Sequence, residues 1–332
     1  MNAIEIRNLT KSFGSKQALA GLNMTVPEGA IYGVIGENGS GKSTTEKIIC
    51  GLIHPSGGTV KLYGKDYTDA DVKAKVGVLI ESPGCFPNYS VWNNMMLQVA
   101  NLSIPNAEQE VVKVLKTVRM EGAASNKYKN CSLGMKQRIG IAMALLGNPT
   151  LLVLDEPING LDADGMRIMR EVLINLAENH GVTVVVSSHI LGELEKVATH
   201  YGIVRSGKML CEMTAAELEA SCRTYVALQT KDMNRTKALL ACKYSRVEED
   251  EAGYLRVYDA KEPEEIVSYL YENGILVSEI KTDKIGLEEY YIDLMNGGGS
   301  SAPVRQSYFS AGNKEEQRYW KRKLNVIPLV KD

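Results

Sequence analysis

The stretch Gly36-Glu37-Asn38-Gly39-Ser40-Gly41-Lys42-Ser43, continued by Thr44, decides the fold. It fulfils the pattern G-x-x-x-x-G-K-[ST] and stands between an apolar run, Ile31-Tyr32-Gly33-Val34-Ile35, and a helix-like run from Thr44 to Leu52. A strand, a glycine-rich loop and a helix in that order form an anion cradle: the glycines let backbone N–H groups turn inward, and the helix N-terminus adds its dipole. Residues 36 to 44 are therefore expected to wrap the phosphates of a nucleotide, with Lys42 reaching the β and γ phosphates and Ser43 ligating Mg2+. A glycine-rich turn without a nucleotide is the bland alternative, and it explains neither the lysine nor the hydroxyl.

A phosphate loop alone leaves kinases, GTPases and ATPases open. The run Leu151-Leu152-Val153-Leu154-Asp155-Glu156-Pro157 narrows the choice. It reads as an apolar strand that delivers Asp155 to hold the metal complex, with Glu156 placed to orient or deprotonate an attacking water. An acidic pair at a strand end is by itself more often a solvated turn; the loop upstream reverses that reading. Hydrolysis is expected rather than transfer to a second substrate.

Strand-length apolar runs recur outward from these two motifs, at residues 3 to 9, 19 to 26, 30 to 35, 60 to 63, 76 to 80, 151 to 154 and 182 to 186. Several are too continuously apolar to have a wet face, which marks them as core strands of an α/β sheet. Val111, Val114, Leu115 and Val118 share one helical face, as do Met166, Met169, Leu173 and Leu176. Residues 90 to about 130 form a mostly helical insertion on this reading.

Composition excludes several classes. With 44% hydrophobic and 23% charged residues over 332 positions, the chain can bury a core and is not disordered. A formal charge of −2 provides no global field for nucleic acid or anionic lipid. The apolar runs around 139 to 146 and 182 to 186 fall short of the roughly 18 residues of a membrane span. The first ten residues, MNAIEIRNLT, alternate like a strand and carry no secretory signal, so a cytoplasmic protein is expected. The 6 cysteines form no CxxC pair and the 4 histidines show no ligand spacing, which argues against a zinc or redox site.

Cys131-Ser132-Leu133-Gly134-Met135-Lys136-Gln137-Arg138, upstream of Asp155, makes the reading specific. It resembles the signature motif of ATP-binding cassette (ABC) transporter ATPases, keeping Ser132, Gly134, Gln137 and Arg138 but departing from the common L-S-G-G-Q at Leu133 and Met135. The resemblance implies an α/β P-loop NTPase cassette with a mixed sheet and a helical insertion carrying the signature motif, covering residues 1 to 210. Gly160-Leu161-Asp162 resembles the D-loop, His189 the H-loop histidine on the γ-phosphate, and Phe13 the A-loop aromatic that stacks on adenine. Ser132 and Gly134 would face the γ-phosphate of ATP bound to a second cassette, and Asp162 would join that shared site. Where most members have a Q-loop glutamine, this chain has Glu81. Together with S-L-G-M-K-Q-R and E-P-I-N-G-L-D, that substitution resembles the bacitracin- and lantibiotic-resistance branch. It implies a carboxylate near Mg2+ and the attacking water, so Glu81 joins Glu156 and His189 as candidate catalytic residues, and Ser43 and Asp155 as candidate metal ligands.

The same resemblance implies a dimer of cassettes at the cytoplasmic face of the membrane, held there by a separate membrane-spanning permease, with ATP and Mg2+ as cofactors and no nucleic acid as partner. An exporter of a peptide antibiotic or similar amphipathic compound is the expected role. A soluble ABC protein acting on ribosomes or DNA is the rival, but such relatives generally carry two cassettes or a long coiled coil. A binding switch with little turnover is a third reading, and the intact Asp155, Glu156 and His189 argue against it. Beyond Gly207 the order changes. Thr214 and Glu217 make a capping-box pattern, then strand-like TYVALQT, YLRVY and ILVSEI alternate with helices near 232 to 242, 263 to 273 and 286 to 295. Residues 211 to 295 are thus expected to form a small α/β appendage. NGGGSS at 296 to 301 reads as a flexible linker into a polar tail, 296 to 332, with the basic cluster WKRK at 320 to 323.

Overall fold

The computed structural model describes residues 1–221, 224–250, 252–258, 260, 262–284 and 286–295. These residues fall into two compact units that meet in sequence at Ala216 and Glu217. The expected linker and tail, 296 to 332, lie outside the described residues.

The first unit contains β1 (Asn2–Phe13), β2 (Lys16–Pro27), β3 (Ile31–Ile35), α1 (Lys42–Ile49), β4 (Gly57–Leu62), β5 (Lys65–Asp66), α2 (Ala70–Lys73) and β6 (Val76–Leu79). It continues with α3 (Val91–Asn101), α4 (Ala107–Thr117), α5 (Leu133–Leu145), β7 (Leu151–Asp155), α6 (Ala163–His180), β8 (Thr183–Ser188), α7 (Leu191–Leu194), β9 (His200–Arg205) and β10 (Lys208–Thr214). A short helix, α8 (Ala215–Ser221), leads into the second unit.

Two sheets divide these strands. One has the order β10-β9-β3-β8-β7-β6, in which β9, β3, β8, β7 and β6 run parallel and β10 pairs antiparallel with β9. Strands β3 and β8 are buried along their whole length, which is why Ile31–Ile35 and the run Val184-Val185-Val186 show no polar alternation, the hydroxyls of β8 falling at its ends. The other sheet is antiparallel, with the order β2-β1-β4-β5. Residues 3 to 9 and 19 to 26, like 60 to 62 in β4, therefore belong to a separate antiparallel sheet, not to the one α/β sheet expected from their apolar runs. They alternate between buried and less buried positions because only one face of a hairpin meets the core. Ile4, Ile6, Leu22 and Met24 from that hairpin share an apolar core with Tyr32, Val34, Ile48, Val153 and Val185.

Between β6 and β7 the chain is helical, as its periodicity suggests. Ser90 starts α3 by accepting the Asn93 N–H at 3.0 Å, and Val111, Val114, Leu115 and Val118 are all buried. On α6 the inward face is Met169, Val172, Leu173 and Leu176, with Met166 only half-buried. Signature helix α5 can approach β6 closely because Gly77 has no side chain: a Cβ there would lie 2.1 Å from the Ala144 carbonyl oxygen.

The second unit contains β11 (Thr224–Thr230), α9 (Met233–Lys243), β12 (Val247–Glu249), β13 (Leu255–Val257), α10 (Pro263–Glu272), β14 (Val277–Lys284) and α11 (Leu287–Met295). Its antiparallel sheet has the order β12-β13-β11-β14, the interleaved β-α-β-β-α-β arrangement of ferredoxin-like folds. Val226, Leu228, Leu240, Leu255, Val257, Ile266 and Leu270 form its own core.

A buried polar contact ties β10 to β3 and β2. Tyr32 Oη donates to Glu212 Oε1 at 2.6 Å, and the Thr25 N–H donates to the same oxygen at 2.8 Å. Burial nevertheless raises the Glu212 carboxyl above the usual carboxylate range, outweighing these two donors. A raised folded-state pKa gives stability that is complete at low pH and is lost as pH rises through it. Glu212→Gln should therefore remove a downward slope of stability with rising pH. Denaturant unfolding at a series of pH values checks this, and an unchanged slope would contradict the assignment.

Candidate nucleotide-binding site

The site lies at the carboxyl ends of β3, β7 and β8, the edge where parallel α/β sheets bind ligands. Register alone assembles it: Val34 and Asp155 both pair with Ser187, and Ile35 pairs with Ser188. The loop after β3 passes under two tight constraints. A Cβ at Gly36 would stand 2.4 Å from the Val204 carbonyl oxygen and 2.5 Å from Ser40 Oγ, and Gly41 takes φ +113° as it enters α1. No other residue type satisfies both positions without strain.

Glu37, Asn38 and Gly39 form the exposed crest of the loop, Ser40 is buried beneath it, and Ser43 and Thr44 are half-buried at the helix start. Lys42 is 6% exposed, with Nζ donating to the Gly36 carbonyl oxygen at 2.6 Å and the Glu37 carbonyl oxygen at 3.2 Å. The ammonium is thereby held across the mouth of the loop, where a phosphate would exchange those carbonyls for charged oxygens.

Ser43 Oγ lies 3.5 Å from Asp155 Oδ1. Ser187 Oγ donates to the same Asp155 oxygen at 2.8 Å and accepts the Glu156 N–H at 3.2 Å. Glu156 adopts left-handed backbone with φ +50°, which turns its side chain away from the strand direction at a cost of about 1 kcal/mol or more. Its Oε2 hydrogen-bonds His189 Nδ1. Two of the candidate catalytic residues, Glu156 and His189, are thus in contact.

Buried Glu46, one turn after Ser43 on α1, was not singled out from the sequence. It is 1% exposed, and its pKa is raised to about 8, first by burial and then by Asp155. Asp155 and Ser187 lie within its reach, but neither carboxylate oxygen of Glu46 has a hydrogen bond of proper geometry. Ser187 was also missed. The signals were present: an acid two residues ahead of the apolar pair Ile48-Ile49 on the inward face of α1, and a hydroxyl just ahead of His189.

The remaining candidates have definite neighbours. Glu81 takes φ +67° and its Oε1 pairs with Lys47 Nζ at 3.0 Å, four residues past Ser43 on α1, with the carboxylate side chain 73% exposed. Phe13 ends β1 outside the core, 52% exposed, with Lys11 Nζ over one face of its ring at 4.9 Å from the centroid. Ser132 caps α5, its hydroxyl accepting the Met135 N–H at 3.3 Å. The start of α5 packs on the loop after Glu156: a Cβ at Gly134 would lie 3.6 Å from Leu161 Cδ2, and one at Gly160 would lie 2.9 Å from Leu133 Cδ2. Asp162 caps α6 by accepting the Gly165 N–H at 2.9 Å.

A glycine cradle, a buried lysine and a hydroxyl beside a carboxylate define a nucleotide-phosphate site. Comparison with known proteins identifies the class. The ABC transporter family pattern matches residues 19–159. The bacitracin transport ATP-binding protein BcrA of Bacillus licheniformis is 35% identical over 300 residues, 89% of this chain and 98% of that protein. The lantibiotic transport ATP-binding protein SrtF of Streptococcus pyogenes is 38% identical over 209 residues, 63% of this chain and 90% of that protein. Among solved structures, a dimeric post-hydrolysis state of an ATP-binding cassette bound to ADP and Pi superposes with a TM-score of 0.57 at 26% identity, covering 64% of this chain and 98% of that one. The chain belongs to the ABC transporter family as an ATP-binding, ATP-hydrolysing subunit. Among the described residues no helix is long and apolar enough to cross a membrane.

Lys42→Ala should weaken ATP binding measurably by calorimetry, because it removes the ammonium held across the mouth of the loop. Glu156→Gln should retain ATP affinity while turnover drops by about two orders of magnitude or more. Parental turnover in Glu156→Gln would exclude Glu156 from the chemical step.

Proposed function

We infer that this subunit powers export of a peptide antibiotic or similar amphipathic compound through a separate membrane-spanning chain. The observation that carries this reading is the extent of the likeness to BcrA, which runs through the second unit as well as the nucleotide site. The subunit would sit peripherally at the cytoplasmic face of the membrane, attached through that permease.

The cassette portion, expected over residues 1 to 210, is extended to Ala216 because β10 stays in its sheet as far as Thr214, and the accessory domain, expected over 211 to 295, is assigned to residues 217 to 295. In the site, Lys42 and the loop N–H groups bind the β and γ phosphates, and Phe13 offers its ring to adenine. Ser43 and Asp155 would hold Mg2+, and the close pairing of a hydroxyl with a carboxylate supports that donor set. When bound, such a cation neutralises charge on the phosphates. Glu156 orients the attacking water and takes its proton, and His189 holds Glu156 in place through the bond already described. Glu81, near the same helix through Lys47, links the nucleotide site to the helical insertion and the permease.

Two cassettes act together. Ser132 and Gly134, beside Gly160 and Leu161, would complete the site of a second cassette, and Asp162 keeps that loop in position by capping α6. ATP then favours closure of the pair, and hydrolysis allows it to reopen. The start of a helix suits this role because its free N–H groups and dipole meet the γ-phosphate.

Mixing Lys42→Ala with Ser132→Arg protein restores one intact composite site on this scheme. ATPase activity of the mixture should exceed the sum of the separate variants, and strictly additive rates with dimerisation verified would sink the shared site. For the transport role, co-expression with the permease should give resistance to a peptide antibiotic that Glu156→Gln abolishes. Resistance unchanged by Glu156→Gln would exclude ATP-driven export.

A further inference from the structure

Helix α1 presents Lys42, Thr45, Glu46, Ile48 and Ile49 to the interior. Thr45 is satisfied by donating to the Gly41 carbonyl oxygen at 2.9 Å, and the isoleucines join the apolar core. Glu46 fits neither pattern. It is 1% exposed, both of its oxygens are buried without a hydrogen-bond partner, and it faces Asp155 and Ser187. The nearby donors are engaged elsewhere: Lys42 Nζ on the Gly36 and Glu37 carbonyl oxygens, and Ser187 Oγ on Asp155. A carboxyl so placed is a costly substitute for an apolar side chain unless a positive charge arrives beside it.

We propose that Glu46 is an additional acidic group of the divalent-cation site, placed behind Asp155 to strengthen binding of the cation that Ser43 and Asp155 hold. This rests on the cation reading given above. Glu46 is a positioning residue: it acts through Asp155 and Ser187 and through its field, and it touches neither phosphate nor water. The relation is reciprocal. Glu46 favours the cation, and the cation offsets the burial of Glu46, so that an intact cassette is most stable when both nucleotide and cation are bound.

Mn2+ is the probe, and the full chain loaded with a non-hydrolysable ATP analogue is the sample. Mn2+ affinity is read by electron paramagnetic resonance, and thermal unfolding is followed with Mn2+ and with EDTA. Glu46→Leu should raise the melting temperature in EDTA, shrink the further rise that Mn2+ produces, and weaken Mn2+ binding by about tenfold, as for loss of an outer partner of a metal site. Glu46→Gln keeps the shape and hydrogen-bonding reach without the charge, so its Mn2+ affinity should lie between parent and Glu46→Leu. It also preserves the test if Glu46→Leu fails to fold. Parental Mn2+ affinity in the Glu46 variants overturns the proposal, whatever their stability. Asp155→Asn separates the two levels of the argument: if it weakens Mn2+ binding and the Glu46 variants do not, only the role of Glu46 fails. If Asp155→Asn also binds Mn2+ like the parent, the cation reading fails with it.

Discussion

The parallel register of β3, β7 and β8 is the constraint on which the site depends. Because Val34 and Asp155 both pair with Ser187, three chain segments distant in sequence end at one edge of one sheet. The phosphate loop, the Asp155-Glu156 pair and the Ser187-Ser188-His189 turn then face a common space without any dedicated bridging element. Their strands are dry on both faces, so a slip of register would cost apolar burial along the whole strand. The energetics of the core thus fix the distances of the site.

Within that frame the polar groups form a chain rather than a collection. Ser43 lies against Asp155, Asp155 accepts from Ser187, Ser187 accepts from the Glu156 N–H, and Glu156 bonds His189. A single hydroxyl, Ser187, couples the acid that faces the phosphate loop to the backbone of the acid that faces His189. Glu46 stands behind this chain, its carboxyl excluded from water and from hydrogen bonds alike. Left-handed backbone at Glu81 and Glu156 aims the two carboxylates differently: one to Lys47 on α1, the other to His189 after β8. The family resemblance in the sequence put Glu81 close to the metal, whereas its bonded neighbour in the structure is a lysine one turn beyond Ser43.

The second unit shows another division between local and global information. Three of its strands and its helices were readable in order because TYVALQT and the helical runs around 233 to 243 and 263 to 272 carry clear apolar patterns, whereas β12, Val247–Glu249, is too short and too charged to show one. Their pairing was not readable. The order β12-β13-β11-β14 sets β11 between strands that come later in the chain, and nothing local to Thr224–Thr230 names those neighbours. Strand ends shifted for a related reason: Ile275 and Leu276 fit a strand by composition, but pairing with β11 begins only at Val277, opposite Thr230.

By itself the sequence determined the phosphate loop, because Gly36, Gly41, Lys42 and Ser43 act through local backbone geometry and fixed spacing. It also determined that Asp155 and Glu156 end an apolar strand, and that Ser132 begins a helix, since capping and periodicity are properties of neighbouring residues. Only the tertiary structure decided that β1, β2 and β4 form a sheet of their own, that Ser187 bridges the acids, that Glu81 meets Lys47, and that Glu46 is sealed beneath Asp155. Each of these is a relation between segments distant along the chain. Such contacts are set by which faces pack and in which register, and those choices minimise exposed apolar surface over the whole unit rather than over any stretch that can be read alone.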